Sequence, residues 1–438
     1  MRPAACRSAL SLALIGVALT LVVDAAAATP ALSFAAPKSY AAGKYPNAVA
    51  LGDLNSDGKL DVAVANTNSA NVSVLLQGDG RLQPKHDYRT GREPVSVALG
   101  DLDGDGKLDV AVANLNSDTV SVLLNAGDGR LLQKRDYATG GLPNKVAIGD
   151  LDGDGKPDLA TANDDAGFSV LLNSGDGSFQ PKRDYETAAS LHTLAIGDLN
   201  GDRKLDLVTA DGEDQFAVLL NQGGGSFGPK RDYEAGLVSL ALGDLNGDGK
   251  LDLAASEIND HTVTVFINAG DGRFTTKRRY KTRAGPSSIA IGDLNGDAKP
   301  DIATANLDAS IATVLVNGGG ARFDVRLDYR TGIRPEKAAI GDLTGDGRPD
   351  LVTGAIGTNT VSVLANAPGL CAVQDVRRST FPVAKRMLTS ASCRVGKVSR
   401  AYSNSVRRGF VISQSRRPYA VSASGARVNL VLSRGRKR

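Results

Sequence analysis

The stretch Ala98-Leu-Gly-Asp-Leu-Asp-Gly-Asp-Gly-Lys-Leu-Asp109 decides the fold, because it recurs. Its Gly-Asp-Leu step opens seven near-identical segments, with the Asp at Asp53, Asp101, Asp150, Asp198, Asp244, Asp293 and Asp342, spaced 48, 49, 48, 46, 49 and 49 residues apart. A fixed period of this length marks an array, a solenoid or a propeller. The second copy reads as one unit. Val95 to Leu99 is a short run of small and branched apolar residues, and Asp101 to Asp109 is a Gly-rich acidic loop. Val110 to Ala113 and Val120 to Leu124 are two further apolar runs, Asn125 to Gly129 is a turn, and Leu131 to Tyr137 is a more polar segment. Four strands with turn signals between them make one propeller blade. The small residues of the first strand suit the crowded axis, and the charged last strand suits an outer edge.

The phase of the repeat bears on closure. Phe34-Ala-Ala-Pro-Lys-Ser-Tyr40 matches fourth strands such as Phe179-Gln-Pro-Lys-Arg-Asp-Tyr185, so the repeats open on a fourth strand without its first three. They end at Val361 to Leu364, a third strand without a fourth. The first strand is therefore expected to complete the last blade and remove both sheet edges. The expectation is an all-β, seven-bladed propeller over residues 32–366; an open solenoid leaves that mismatch unexplained.

Each repeat carries Asp at the first, fifth and ninth loop positions and Asp, Asn or Thr at the third. The residues are Asp53, Asn55, Asp57 and Asp61 in the first loop, and Asp101, Asp103, Asp105 and Asp109 in the second. The third has Asp150, Asp152, Asp154 and Asp158, and the fourth Asp198, Asn200, Asp202 and Asp206. Asp244, Asn246, Asp248 and Asp252 follow in the fifth, then Asp293, Asn295, Asp297 and Asp301 in the sixth. The seventh has Asp342, Thr344, Asp346 and Asp350. Alternate oxygen donors in a tight loop suit a hard cation with six to eight oxygen ligands, so Ca²⁺ is expected in up to seven structural sites. The alternative is that Asp, Asn and Gly only make turns. The second and third loops hold four Asp each and are expected to bind best. Arg203 and Ala298 replace the turn Gly in the fourth and sixth loops, which should weaken those two.

Composition agrees with this architecture. The chain has 438 residues, 50 Gly, 5% aromatics and no Trp, which argues against a helical bundle. The net charge of +3 hides an asymmetry. From Cys371 to Arg438 there are 16 Lys and Arg against the single acid Asp375, whereas residues 29–370 hold 33 basic and 46 acidic residues. Seven divalent ions would nearly neutralise the acidic part.

The repeated segments, with Asn125-Ala-Gly-Asp-Gly-Arg130, resemble the FG-GAP or VCBS repeats of integrin-α-type seven-bladed propellers. The resemblance implies calcium in the loop between first and second strands and a partner, protein or glycan, on the opposite face. That face would include Asn66, Asn114, Asn163 and Asn306 and the loops after Tyr88, Tyr137 and Tyr185. Such propellers include adhesion proteins, lectins and lyases, so the fold does not fix the function.

The ends differ from the repeats. Residues 1–28 read as a secretory signal, with Arg2 and Arg7 before an apolar run and Ala26-Ala27-Ala28 at the cleavage site; an uncleaved anchor is the alternative. The mature chain is then expected outside the cell or at its wall. Its two remaining cysteines, Cys371 and Cys393, suggest a disulfide in that compartment. Residues 371–438 read as a small α+β unit. Val383, Ala384, Met387, Leu388 and Ala391 share a helical face, and Phe410 to Ile412 and Val428 to Leu432 read as strands. This unit resembles a PASTA domain through Cys393-Arg-Val-Gly-Lys397, Gly409-Phe-Val-Ile-Ser-Gln414 and Val428-Asn-Leu-Val-Leu-Ser433, with Gln374 where a Pro is usual. The resemblance implies peptidoglycan as a partner. The charge independently implies anionic wall polymers, or else serves only solubility. No nucleic-acid motif accompanies it, and a monomer is expected.

Only three His occur, His86, His192 and His261, in different repeats and at different positions. With no nucleophile motif, a non-enzymatic binding or adhesion protein is the expectation. A lectin, or a polysaccharide lyase or hydrolase, is the alternative.

Overall fold

The structure is a computed structural model that describes residues 32–437 apart from 166, 188, 189 and 214. The expected signal, residues 1–28, lies outside the described residues. No helix among the described residues is long and apolar enough to cross a membrane. Among the described residues the chain is nearly all-β, with one α-helix, Phe381–Ser390. It is built from repeated four-stranded antiparallel sheets of the propeller type.

We number these sheets 1 to 7 by the repeat that supplies their inner strand. Sheet 2 runs outward from Pro94–Gly100 through Asp109–Asn114 and Thr119–Leu123 to Arg135–Ala138. Its outer strand starts later than the expected Leu131, which forms only an isolated bridge to Asn125. Sheet 7 takes its outer strand, Lys38–Ala41, from the start of the chain; Tyr40 lies opposite Val361 in the third strand Thr360–Leu364.

The second strands explain why the sheets stack face to face. In Asp109–Asn114 every residue is buried, and successive side chains point to opposite faces. Val110 and Val112 pack with Ala63, Ala65, Val72 and Val74 of sheet 1. Ala111 and Ala113 pack with Leu159 and Leu171 of sheet 3. The core is thus a set of layers between neighbouring sheets. One such layer joins Val62 and Val64 of sheet 1 to Val352, Val361 and Val363 of sheet 7. Each inner strand touches the next, and Pro335–Gly341 of sheet 7 touches Pro46–Gly52 of sheet 1.

Polar bonds stitch the layers. After each third strand except that of sheet 1 stands an Asn whose side chain reaches into the preceding repeat. Asn125 Nδ2 donates to Leu54 O at 2.7 Å and to Leu108 O at 2.9 Å. Asn221 Nδ2 donates to Leu151 O at 2.8 Å and Leu205 O at 3.0 Å. Asn173, Asn268, Asn317 and Asn366 repeat the pattern. In sheet 1 the residue is Gln77, and its Oε1 is buried without a partner.

The acidic loops turn through two left-handed residues. The sixth position is Gly in five loops, with φ of 82° at Gly106, but Arg203 and Ala298 adopt φ of 68° and 61° there. The fourth position is Gly in six loops and Ser56, with φ of 60°, in the first. These three side chains sit where a Cβ is strained.

The C-terminal segment folds onto sheet 6. Its strands Arg394–Ala401 and Arg427–Ser433 run parallel, and Val411–Gln414 pairs antiparallel with the latter. The Arg394–Ala401 strand is absent from the sequence reading, because its exposed Arg, Lys and Ser residues hide the apolar positions. The helix buries Ala384, Met387 and Leu388 as expected, but Val383 is 44% exposed. Cys371 and Cys393 form a disulfide. One apolar cluster runs from this segment to Leu327 and Tyr329 of sheet 6 and to Phe34 near the start of the described chain.

Replacing Asn221 with Ala removes the donor to two buried carbonyls and should cost about 1–3 kcal/mol of unfolding free energy, read from the denaturant midpoint. Arg203→Gly, Ala298→Gly and Ser56→Gly should each do the reverse, adding about 1 kcal/mol by relieving a left-handed side chain. Unchanged midpoints in all three would refute the strain.

Candidate metal-binding loops

Each acidic loop is held open by its own backbone. In the second loop the Asp101 carboxylate accepts the N–H of Gly104 at 2.8 Å and of Gly106 at 2.9 Å. Asp103 accepts from Asp105 N at 3.2 Å. The ninth residue, Asp109, is fully buried; its two oxygens accept from Leu102 N at 2.9 Å and Asn125 N at 2.7 Å. Each carboxylate oxygen offers two lone pairs, so these bonds leave capacity for a cation.

The geometry brings together three of the four expected acids in two loops. One carboxylate oxygen from each of Asp101, Asp103 and Asp109 lies within 4.8 Å of the others, and so do those of Asp150, Asp152 and Asp158. Oxygens bound at 2.3–2.6 Å around one Ca²⁺ are at most about 5 Å apart, so both triads fit such an ion. The fifth residue behaves differently. Asp105 pairs with Lys107 at 2.6 Å and Asp154 with Lys156 at 2.8 Å. A lysine two residues on in the same loop draws these carboxylates away from the triad. Asp202, Asp297 and Asp346 likewise pair with Lys204, Lys299 and Arg348.

The other loops keep the frame with weaker donors. Asn55, Asn200, Asn246 and Asn295 each accept the N–H of the fifth residue through Oδ1. Thr344 offers a hydroxyl in place of a carboxylate or amide, and its N–H donates to Asp350 at 2.9 Å.

Electrostatics single out the ninth position. Burial pushes Asp109, Asp158 and Asp252 up to about 6, and Asp301 up to about 7, against the backbone N–H bonds that favour the charged form. Neighbouring loop carboxylates raise them further, among them Asp103 beside Asp109 and Asp297 beside Asp301. A divalent cation is the species that would offset both effects.

The expected ligand-face residues are enclosed rather than exposed. Asn66, Asn114, Asn163 and Asn306 stand at the ends of second strands, but all four are buried. Asn66 Oδ1 accepts from Gly43 N at 2.9 Å, and its Nδ2 donates to Ser73 Oγ at 2.8 Å. Asn114, Asn163 and Asn306 bond in the same manner to Ser121, Ser169 and Thr313. Asn66 and Asn114 also hold the loops at Gly43 and Gly91, and burial of all four leaves no exposed amide for a partner, which corrects the sequence reading. At the same position sheet 5 carries Glu257, buried and bonded to Thr262, Thr264 and Arg279. That change of Asn to Glu is legible in the aligned repeats and was missed.

On the C-terminal segment, Arg400, Tyr402, Arg408 and Arg434 line a groove of about 500 Å³. Arg434 is tied down: its N–H donates to Ala401 O at 2.8 Å, and its guanidinium lies over the Tyr402 ring.

With the fold and loops described, relatives can be placed. No curated protein sequence matches the chain. Among solved structures, BBS1N in complex with ARL6DN is similar, at 12% identity, covering 77% of this chain and 98% of that one with a TM-score of 0.55. Virginiamycin B lyase from Staphylococcus aureus is similar at 13% identity, covering 76% and 99% with a TM-score of 0.54. At these identities the likeness shows the fold alone. The FG-GAP-like repeat matches residues 53–112, 101–161, 150–209, 198–255 and 244–304. These five overlapping matches span more than half of the sequence, and the chain belongs to the FG-GAP-like repeat family.

Proposed function

We propose that this chain is a secreted, calcium-stabilised, seven-bladed β-propeller, closed by its N-terminal strand, that acts as a binding or adhesion protein at the bacterial cell envelope. The two carboxylate triads, Asp101–Asp103–Asp109 and Asp150–Asp152–Asp158, carry the calcium reading. Their spacing matches one hard cation, and each triad includes a buried acid. Closure is supported by the place of Lys38–Ala41 beside Thr360–Leu364 and by the apolar layer between sheets 1 and 7. Calcium here is structural: it caps the loops and stabilises the folded state by mass action.

The partner is a protein or a glycan. BBS1N, a fold relative, is held in complex with a protein, ARL6DN, which favours protein binding in general terms. Residues 371–438 act as a basic PASTA-like unit that meets anionic wall polymer or peptidoglycan, and the arginine groove at Arg400, Arg408 and Arg434 is where its charge converges. Catalysis is assigned to no residue.

Calcium at 10 mM should stabilise the chain by about 1.4–2.7 kcal/mol per occupied site for dissociation constants of 10⁻³–10⁻⁴ M. EDTA should remove that gain in a thermal melt, and Asp103→Asn with Asp152→Asn should shrink it; a melt indifferent to EDTA overturns the calcium reading. Sedimentation with purified bacterial cell walls should weaken with salt and at least fivefold in Arg400→Ala/Arg408→Ala. A glycan array on the mature chain separates a lectin, which gives discrete hits, from a protein-binding scaffold, which gives none.

A further inference from the structure

The inner strands share one position, four residues before their terminal Gly, that breaks the repeat. It holds Ala48, Ser96, Thr193, Ser239 and Ser288 in five sheets, but Lys145 in sheet 3 and Lys337 in sheet 7. All seven residues line a single cavity of about 110 Å³, to which every inner strand contributes. Both lysines follow a bulge, at Pro143/Lys145 and Pro335/Lys337, which they share with Ala48, Ser96 and Ser288. Bulges of this kind re-aim the side chains beside them.

No acid lines this cavity. Neither ammonium group makes an ion pair or a hydrogen bond among the described residues, although 18 other ion pairs form. Glu336 precedes Lys337 but is not part of the lining. His192 is, and its Nδ1 faces Asp211 O at 2.6 Å. Between the lysines stand hydroxyls in a fixed arrangement. Ser288 Oγ accepts from Ala338 N at 2.9 Å, and Ser96 and Ser239 accept from Val146 N and Ile289 N at 3.3 Å. Each of these hydroxyls keeps its own proton to donate.

Two half-buried cations sharing a cavity with no acid in its lining are costly; Glu336 acts on Lys337 from outside that lining. Burial, and then the Lys337 ammonium, push Lys145 down to about 8. A protein that needed only to fill this space had a cheaper solution, since its other five repeats use a small or hydroxyl residue. The volume sets the scale of an occupant: room for several waters, far below the 300–1,000 Å³ of sites for drug-sized ligands.

We propose that the axial cavity is a binding site for one compact divalent oxyanion of the sulfate or phosphate type, clamped between Lys145 and Lys337 and hydrogen-bonded by the ring of Ser and Thr hydroxyls. The anion joins sheets 3 and 7, which are not neighbours. Its site lies at the far end of the inner strands from the acidic loops, so it does not depend on calcium.

The test is calorimetric titration of the full mature chain with sodium sulfate, and separately with sodium phosphate, at constant ionic strength and without calcium. One saturable site per chain is expected. Lys145→Ser and Lys337→Ser, which restore the residue type of the other repeats, should each weaken it at least tenfold, and the double substitution should abolish it. The double variant should melt no lower than the parent in the absence of anion, because it loses a repulsion. Lys145→Met serves as a second variant if a Ser variant folds poorly. Arg400→Ala, in the C-terminal groove, should leave the site unchanged. Absence of a saturable site in the parent chain, or a site that survives the double substitution, overturns the proposal. So does a site lost in Arg400→Ala.

Discussion

A buried aspartate and an asparagine together set the geometry of six of the seven joints between neighbouring sheets. The ninth loop residue, Asp109 in the second repeat, takes one backbone N–H from its own loop and one from the residue that follows the third strand. That following residue is Asn125, whose side chain crosses to the preceding repeat. Loop, third strand and neighbouring sheet are thereby fixed by a few atoms at the rim. The bonds are buried, so removing either partner leaves polar groups that water cannot reach, and that asymmetry makes them costly to lose. Apolar layers supply most of the attraction between sheets. Such attraction is non-directional; the Asn bonds define the register in which the layers stop.

Much of this was legible in the sequence, for particular reasons. The Gly-Asp-Leu period gave the number of repeats, and the apolar run Val110 to Ala113 marked the second strand. The four-Asp composition of the second and third loops pointed to the two places where carboxylates converge. The Gly-to-Arg203 and Gly-to-Ala298 changes marked left-handed positions. Other features were hidden. Asn125 reads as a turn residue, because nothing local shows that its amide reaches Leu54, 71 residues back. Asn66 and its equivalents read as surface residues at strand ends, because burial depends on the loops that fold over them. Asp105 was expected to ligate, yet Lys107 in the same loop competes for it. Lys145 and Lys337 are visible in an alignment of the repeats, but only the convergence of all inner strands makes them a pair.

The C-terminal segment shows how a repeat architecture accommodates a different unit. The outer strand of sheet 6, Val325–Arg330, is largely buried, whereas the outer strand of sheet 2 is exposed at three of its four residues. Gln374 Oε1 accepts the Asp328 N–H at 2.7 Å, occupying part of the edge, and the Asp328 carboxylate is paired with Arg283 at 2.8 Å. A Pro at 374 could supply no side-chain oxygen for that bond. Tyr329 donates to Leu32 O, and Leu32 N donates to Ser390 O. Start, sixth sheet and helix are therefore one packed region, so the basic groove is held in a fixed relation to the sheets.

The position of Lys38–Ala41 has a consequence for how the protein comes into being. Tyr40 pairs with Val361, so this strand is made first and finds its partner only after some 320 further residues. At synthesis rates of 5–20 residues per second the wait is roughly 15–60 s. Throughout it the strand has no partner in sheet 7, because Thr360–Leu364 has yet to be made. The strand is short and carries Lys38, features that discourage pairing with the wrong edge. Assembly of this molecule is thus a problem of timing as much as of packing, with the outer strand of sheet 7 waiting on the three strands it completes.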